Sequence, residues 1–135
     1  MRILNIAISI IILVAACAIG SAPTGGMGSL WDGISLIIVV IPAYFLTAAA
    51  ANSYAFFNDK KSVILFGDLA LGFGLVGTML GLIFMLAGMA LPPAPGVDPT
   101  ASIISNIAIS LITLLYGLIF KYFIALPWAH SIKEN

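Results

Sequence analysis

Residues 63–91 read VILFGDLALGFGLVGTMLGLIFMLAGMAL, and this stretch decides how the chain folds. Glycine recurs at 67, 74, 81 and 88, a seven-residue repeat that keeps one side of a helix bare, with Gly77 and Thr78 beside it. Asp68 is the one charged residue in it, and ~20 apolar residues are enough for a helix to cross a bilayer. The next apolar stretch is patterned differently. From Ser102 onward, Asn106, Ser110, Thr113 and Gly117 follow at steps of three or four, which puts them on one helix face. A smooth membrane helix next to a polar-striped one implies close packing around something that is not lipid.

The same reading extends outward to the whole chain. Its 135 residues are 62% hydrophobic and 7% charged, whereas soluble globular domains carry roughly 25% charged residues. Apolar runs cover about 3–20, 34–57, 63–91 and 101–128, leaving no soluble domain. The expected fold is an all-α membrane protein: a single four-helix transmembrane domain over 1–135. Helices are required because backbone groups in lipid must bond within their own segment. The breaks SAPTGGMGSLWDG, NDKKS and PPAPGVDPT supply the turn chemistry between spans.

Charge fixes the expected orientation and removes some functions. Arg2, Lys60, Lys61, Lys121 and Lys133 all fall on one side if both termini and the NDKKS loop are cytoplasmic, while Asp32 and Asp98 take the other side. A zero net charge with no lysine and arginine cluster argues against nucleic acid as a partner. The single Cys17 excludes an intrachain disulfide and a multi-cysteine metal site. Arg2, an apolar run and Val14-Ala15-Ala16-Cys17 resemble a secretory signal ending in a lipoprotein cleavage site. The reading adopted instead treats Cys17 as a small apolar residue of the first span.

Within the third and fourth spans, each marked residue has a plain reading and a sharper one. Gly67, Gly74, Gly77, Gly81, Gly88 and Gly117 are first of all helix-packing residues, because small residues let membrane helices approach closely. The hydroxyls of Thr78, Ser110 and Thr113 can bond back to their own helix, yet their alignment with Asn106 favours a face turned to water or to a partner. Asp68 and Lys121 belong near the same water interface, as an ion pair or as the cytoplasmic mouth of an ion pathway, since a charge at mid-bilayer costs at least ~2.5 kcal/mol. No span carries a carboxylate at its centre. A proton relay therefore needs an acid from another polypeptide. No metal ligands or cofactor motif stand out, and an enzyme is not expected.

Three segments carry a family resemblance. Gly67-Asp68, followed by Phe73-Gly74-Leu75-Val76-Gly77-Thr78-Met79-Leu80-Gly81-Leu82, resembles the third membrane helix of the MotA/TolQ/ExbB proton-channel family, on its flagellar side. Ala108-Ile109-Ser110-Leu111-Ile112-Thr113-Leu114-Leu115-Tyr116-Gly117, with Pro127-Trp128-Ala129 ten residues on, resembles the fourth helix. Asp32-Gly33-Ile34-Ser35-Leu36-Ile37-Ile38-Val39-Val40 is similar to the start of the second.

The resemblance implies a homopentamer ringed around two copies of a single-span MotB- or ExbD-like partner in the bacterial inner membrane. The partner's aspartate would bind and release the ion, and the third and fourth helices would line the pore. Thr78 then corresponds to a pore-facing threonine, ring contacts fall on the glycine-bearing faces, and ion-motive force becomes rotation. Three departures qualify this. Leu114 stands where a second pore threonine is usual, which favours protons over sodium as the transported cation. Leu71 replaces a proline at the start of the third helix. The large cytoplasmic domain between helices two and three shrinks to about 58–62, which removes the surface for a flagellar rotor.

Two rivals stay open. A small multidrug-type transporter would need a glutamate in the first helix, and Glu134 is the only glutamate here. A non-conducting assembly protein would use the polar stripe to bind a partner helix.

Overall fold

The computed structural model describes residues 2–21, 30–90, 96 and 98–132. Lys133 and most of the first and third connecting loops, 22–29 and 91–95, lie outside the described residues. Among the described residues the structure is helical with no strand: α1 Arg2–Ser21, α2 Gly33–Ala51, a 3-10 turn Phe56–Asn58, α3 Lys60–Met89, α4 Pro99–Ile119, a π turn Phe120–Ala125 and α5 Leu126–Ser131. Three helices are long and apolar enough to cross a membrane: Gly33–Ala51, Lys60–Met89 and the continuous run Pro99–Ser131. The stretch expected to be the first span is helical, as α1, but is not one of these three; within it Ile10–Ile19 is a shorter apolar helix. Residues 1–33 and 34–135 form separate compact units. In the first, Ile11, Ile12 and Ile19 face outward from α1, and Cys17 is a half-buried free thiol.

The helix ends follow local chemistry and differ from the expected boundaries at four places. α2 stops at Ala51, short of the expected residue 57, because Asn52 takes a left-handed φ of 51°. The Asn52 amide donates to the Ala49 carbonyl (3.3 Å) and the Ser53 amide to the Ala48 carbonyl (3.1 Å), a Schellman ending that asparagine tolerates better than branched residues. α3 starts three residues earlier than expected. Asp59 caps it, accepting from the Ser62 amide at 3.0 Å and from the Ser62 hydroxyl. α4 starts at Pro99, where a missing amide hydrogen costs nothing, and Asp98 accepts from the Thr100 amide at 2.9 Å. At the other end the helix runs past residue 128. Pro127 cannot donate and its ring crowds the carbonyl four residues back, and the chain widens into a π turn just before it.

The core of the second unit is made of small and aromatic residues. Val39, Ala43, Ala70 and Ala129 are fully buried, with Phe56, Val63, Phe66 and Ala125 close to it. At one end Phe57 stacks on Trp128 (centroids 5.3 Å apart), Phe56 lies 4.5 Å from Phe57, and Phe66 meets Phe120 edge-on, tying the 3-10 turn, α3, the π turn and α5 together. Large apolar side chains such as Met79, Phe84, Ile104 and Leu111 are instead more than half exposed. In water so much apolar surface would aggregate; against lipid it carries no penalty.

Candidate functional site

The seam between α3 and α4 is built by removing side chains. A Cβ added at Gly117 would sit 2.8 Å from the Ala70 carbonyl oxygen and 3.0 Å from the Leu71 Cα, and one at Gly74 would sit 2.9 Å from the Thr113 carbonyl oxygen. The backbones themselves touch there. Gly67 packs on Ala125, Gly77 on the Thr113 methyl group, and Gly81 on the Ser110 hydroxyl. Five of the six expected packing glycines therefore face their own chain, and the seam they make lies within one subunit. Gly88 has nothing within 4 Å and makes no such contact.

The hydroxyls expected on a polar stripe lie in this seam. Thr78, Ser110 and Thr113 are all buried. Thr78 Oγ1 shares its hydrogen between the Gly74 carbonyl on its own helix (2.9 Å) and the Ser110 carbonyl across the seam (2.8 Å). Thr113 Oγ1 donates to the same Ser110 carbonyl at 3.0 Å, and Ser110 Oγ donates to the Asn106 carbonyl at 2.8 Å. Two hydroxyls from different helices thus converge on one carbonyl oxygen. Asn106 and Ser102 are exposed, one and two turns further along the same stripe. The seam offers a line of neutral oxygens that can ligate a cation or hold water. None of them titrates near neutral pH.

One member was missed from the sequence. Ser35 of α2 is 3% exposed, and its Oγ lies 3.5 Å from Thr113 Oγ1, while the Ile38 methyl group abuts Gly77. Its signal was available, because Ser35 is the one polar residue in the run 34–43 and so has to face protein.

Asp68 and Lys121 are brought together at one end of the seam. Lys121 Nζ lies 2.9 Å from Asp68 Oδ1 and 5.5 Å from the centroid of the Tyr122 ring. Lys60 and Lys61, in the first turn of α3, mark the same end of this helix pair, and Asp98 begins α4 at the other. A half-exposed pair of this kind is weakened by water, and next to hydrocarbon an unpaired charge is the costlier alternative, so pairing is favoured at this position.

A family model for the MotA/TolQ/ExbB proton channel family matches residues 43–135, which contain the α3 and α4 sides of the seam and the ion pair but not Ser35. Motility protein A of Aquifex aeolicus (strain VF5) is 32% identical over 110 residues, covering 78% of this chain and 40% of that protein. Chemotaxis protein PomA of Vibrio alginolyticus is 36% identical over 106 residues, covering 75% of this chain and 39% of that protein. The chain therefore spans about 40% of the length of these relatives. No solved structure matches. With the match running through the glycine seam, its hydroxyls and the ion pair at its end, the chain belongs to the MotA/TolQ/ExbB proton channel family, a family of channel subunits rather than of enzymes.

Proposed function

We propose that this chain is the ion-conducting subunit of a membrane motor driven by the proton-motive force. Five copies form a ring in the bacterial inner membrane, both termini cytoplasmic, around the single spans of two MotB- or ExbD-like partner chains. The observation that carries this reading is the hydroxyl-bearing α3–α4 seam inside the stretch matched to the family. Thr78, Asn106, Ser110 and Thr113 line the pathway, with Asp68 and Lys121 at its cytoplasmic mouth. α2, α3 and α4 have no carboxylate at mid-span, so the partner supplies the acid that binds and releases the ion. Leu114, in place of a second threonine, favours protons as the cation.

The names of the two relatives speak of motility and chemotaxis. In this chain only residues 52–59 connect α2 to α3. So short a connection has no room for a rotor-gripping domain, and the motor's output passes through the partner rather than through a flagellar rotor.

The test is native mass spectrometry of the chain purified from cells that also express its single-span neighbour. Five copies with two partner chains support the motor. A dimer with no foreign helix overturns it and brings the transporter reading forward.

A further inference from the structure

We propose that Lys121 is a positioning residue of this pathway: it holds the Asp68 carboxylate against the π turn, keeping α3 and α4 closed at this mouth until a cation leaving the pathway displaces it. The inference rests on the ion-pathway reading above and adds to it a control on release at the cytoplasmic end.

Three observations support it. The pair joins two helices where their backbones are in contact: a Cβ at Gly67, next to Asp68, would lie 2.6 Å from the Ala125 Cβ and 3.4 Å from the Lys121 Cα. The charges therefore sit over the closed end of the seam and act directly on its width. The two partners are also unequally enclosed, the Asp68 side chain being 53% exposed and that of Lys121 25%. A cation can reach the carboxylate from the open side while the ammonium holds it from the enclosed side, so the two compete for the same oxygens.

The third observation is the place of Lys121 inside the π turn Phe120–Ala125. A π turn holds one residue more than an α turn, and its relaxation to α geometry rotates the residues on one side of it by about 100°. Such a rotation would swing Lys121 away from Asp68 without unfolding the helix. Among the described residues no other lysine is placed to take over the role. Lys61, the nearest on α3, is seven residues from Asp68, about 10 Å along the helix axis.

The test uses the full chain in lipid nanodiscs and, separately, co-reconstituted with its partner. Hydrogen exchange is followed over residues 117–125 in K121M, D68N, the double variant, K121R and the charge-swapped D68K/K121D. Either single neutral variant is expected to raise exchange there several-fold. The double variant should go no further than the larger single effect, and K121R and the swap should return to within about twofold of wild type. Unchanged single variants, or additive effects in the double, overturn the latch.

Flux is the readout that mere stability would not move. In a conducting assembly K121M should pass ions at a lower driving force than wild type, while K121R should behave as wild type. Equal thresholds in K121M and wild type overturn the positioning role even where exchange has changed. An assembly in which wild type conducts nothing overturns the ion-pathway reading and the release step with it, and the exchange result still decides whether the latch exists.

Discussion

At the scale of single residues, the seam's glycines divide into two groups with opposite expected behaviour. Gly117→Ala and Gly74→Ala push a methyl group into backbone atoms that cannot move aside, so each should destabilise the helix pair by ~1–3 kcal/mol. Gly72→Ala, in the middle of α3, and Gly88→Ala, in its last turn, meet nothing within 4 Å and should be neutral or stabilising by up to ~1 kcal/mol, the gain being larger at Gly72. Thermal melts in detergent separate the groups, and equal losses at all four positions would contradict a close-packed seam. The glycine spacing was legible in the sequence, but its limit was not. A seven-residue repeat drifts by ~20° per heptad on a straight helix, so Gly88, three heptads after Gly67, has turned ~60° away from the line. Which chain the bare face meets was also illegible, because close packing within a subunit and between subunits selects the same small residues. Thr78→Val keeps the shape at this position and removes the cross-seam hydrogen bond to the Ser110 carbonyl, whereas Thr78→Ser keeps the hydroxyl. The valine variant should lose ~0.5–1.5 kcal/mol, less than a bulkier residue that wedges the seam open. Loss of flux in T78V with the assembly intact, and its retention in T78S, would place Thr78 in the pathway; full flux in T78V would remove it.

At the scale of elements, caps explain the boundaries that apolar periodicity alone misplaced. Hydropathy sees Phe56 and Phe57 as more span, while the turn is made by Asn52, whose left-handed backbone ends α2 before them. The π turn was illegible because its cause, Pro127, reads in sequence as a terminator, and only the packing of α5 onto the aromatic cluster keeps the helix going beyond it. The cap on α3 has a pH signature. Hydrogen bonds from the Ser62 hydroxyl, foremost, and from the Ser62 amide hold the Asp59 carboxyl below its usual range. A carboxylate whose pKa is lowered on folding stabilises the fold above its unfolded value and loses that contribution as pH falls through the folded one. The first turn of α3 should therefore stay protected from neutral pH down to about pH 4, near the ordinary aspartate pKa, and fray below it. Exchange of the amides of residues 60–62 against pH measures this. Asp59→Asn, which caps without titrating, should flatten the profile, and Asp59→Ala should fray the turn at every pH. A profile in D59N as steep as that of wild type would assign the pH dependence to another group.

At the scale of the whole molecule, the architecture leaves a defined gap. The exposed faces of α3 and α4 carry Met79, Ile83, Phe84, Ile104 and Leu111, so most of the subunit's surface is apolar and fit only for lipid or other membrane helices. Thr78, Ser110 and Thr113 are turned inward, and among the described residues no buried side-chain oxygen or nitrogen is without a hydrogen-bond partner. Those buried groups leave nothing unpaired with which to take up a proton, and neutral hydroxyls do not titrate at accessible pH. Membrane proton relays use carboxylates and histidines for this reason, and the carboxylate of α3 is already paired at the end of the seam. The chain reconstituted alone in vesicles should therefore pass no protons under an imposed potential. Flux should begin when a single-span partner bearing a membrane aspartate is co-reconstituted, and should fall to background when that aspartate becomes asparagine. Flux from the chain alone, surviving in D68N, would mean that hydroxyls and water conduct by themselves, and the partner's acid would then have no place in the mechanism.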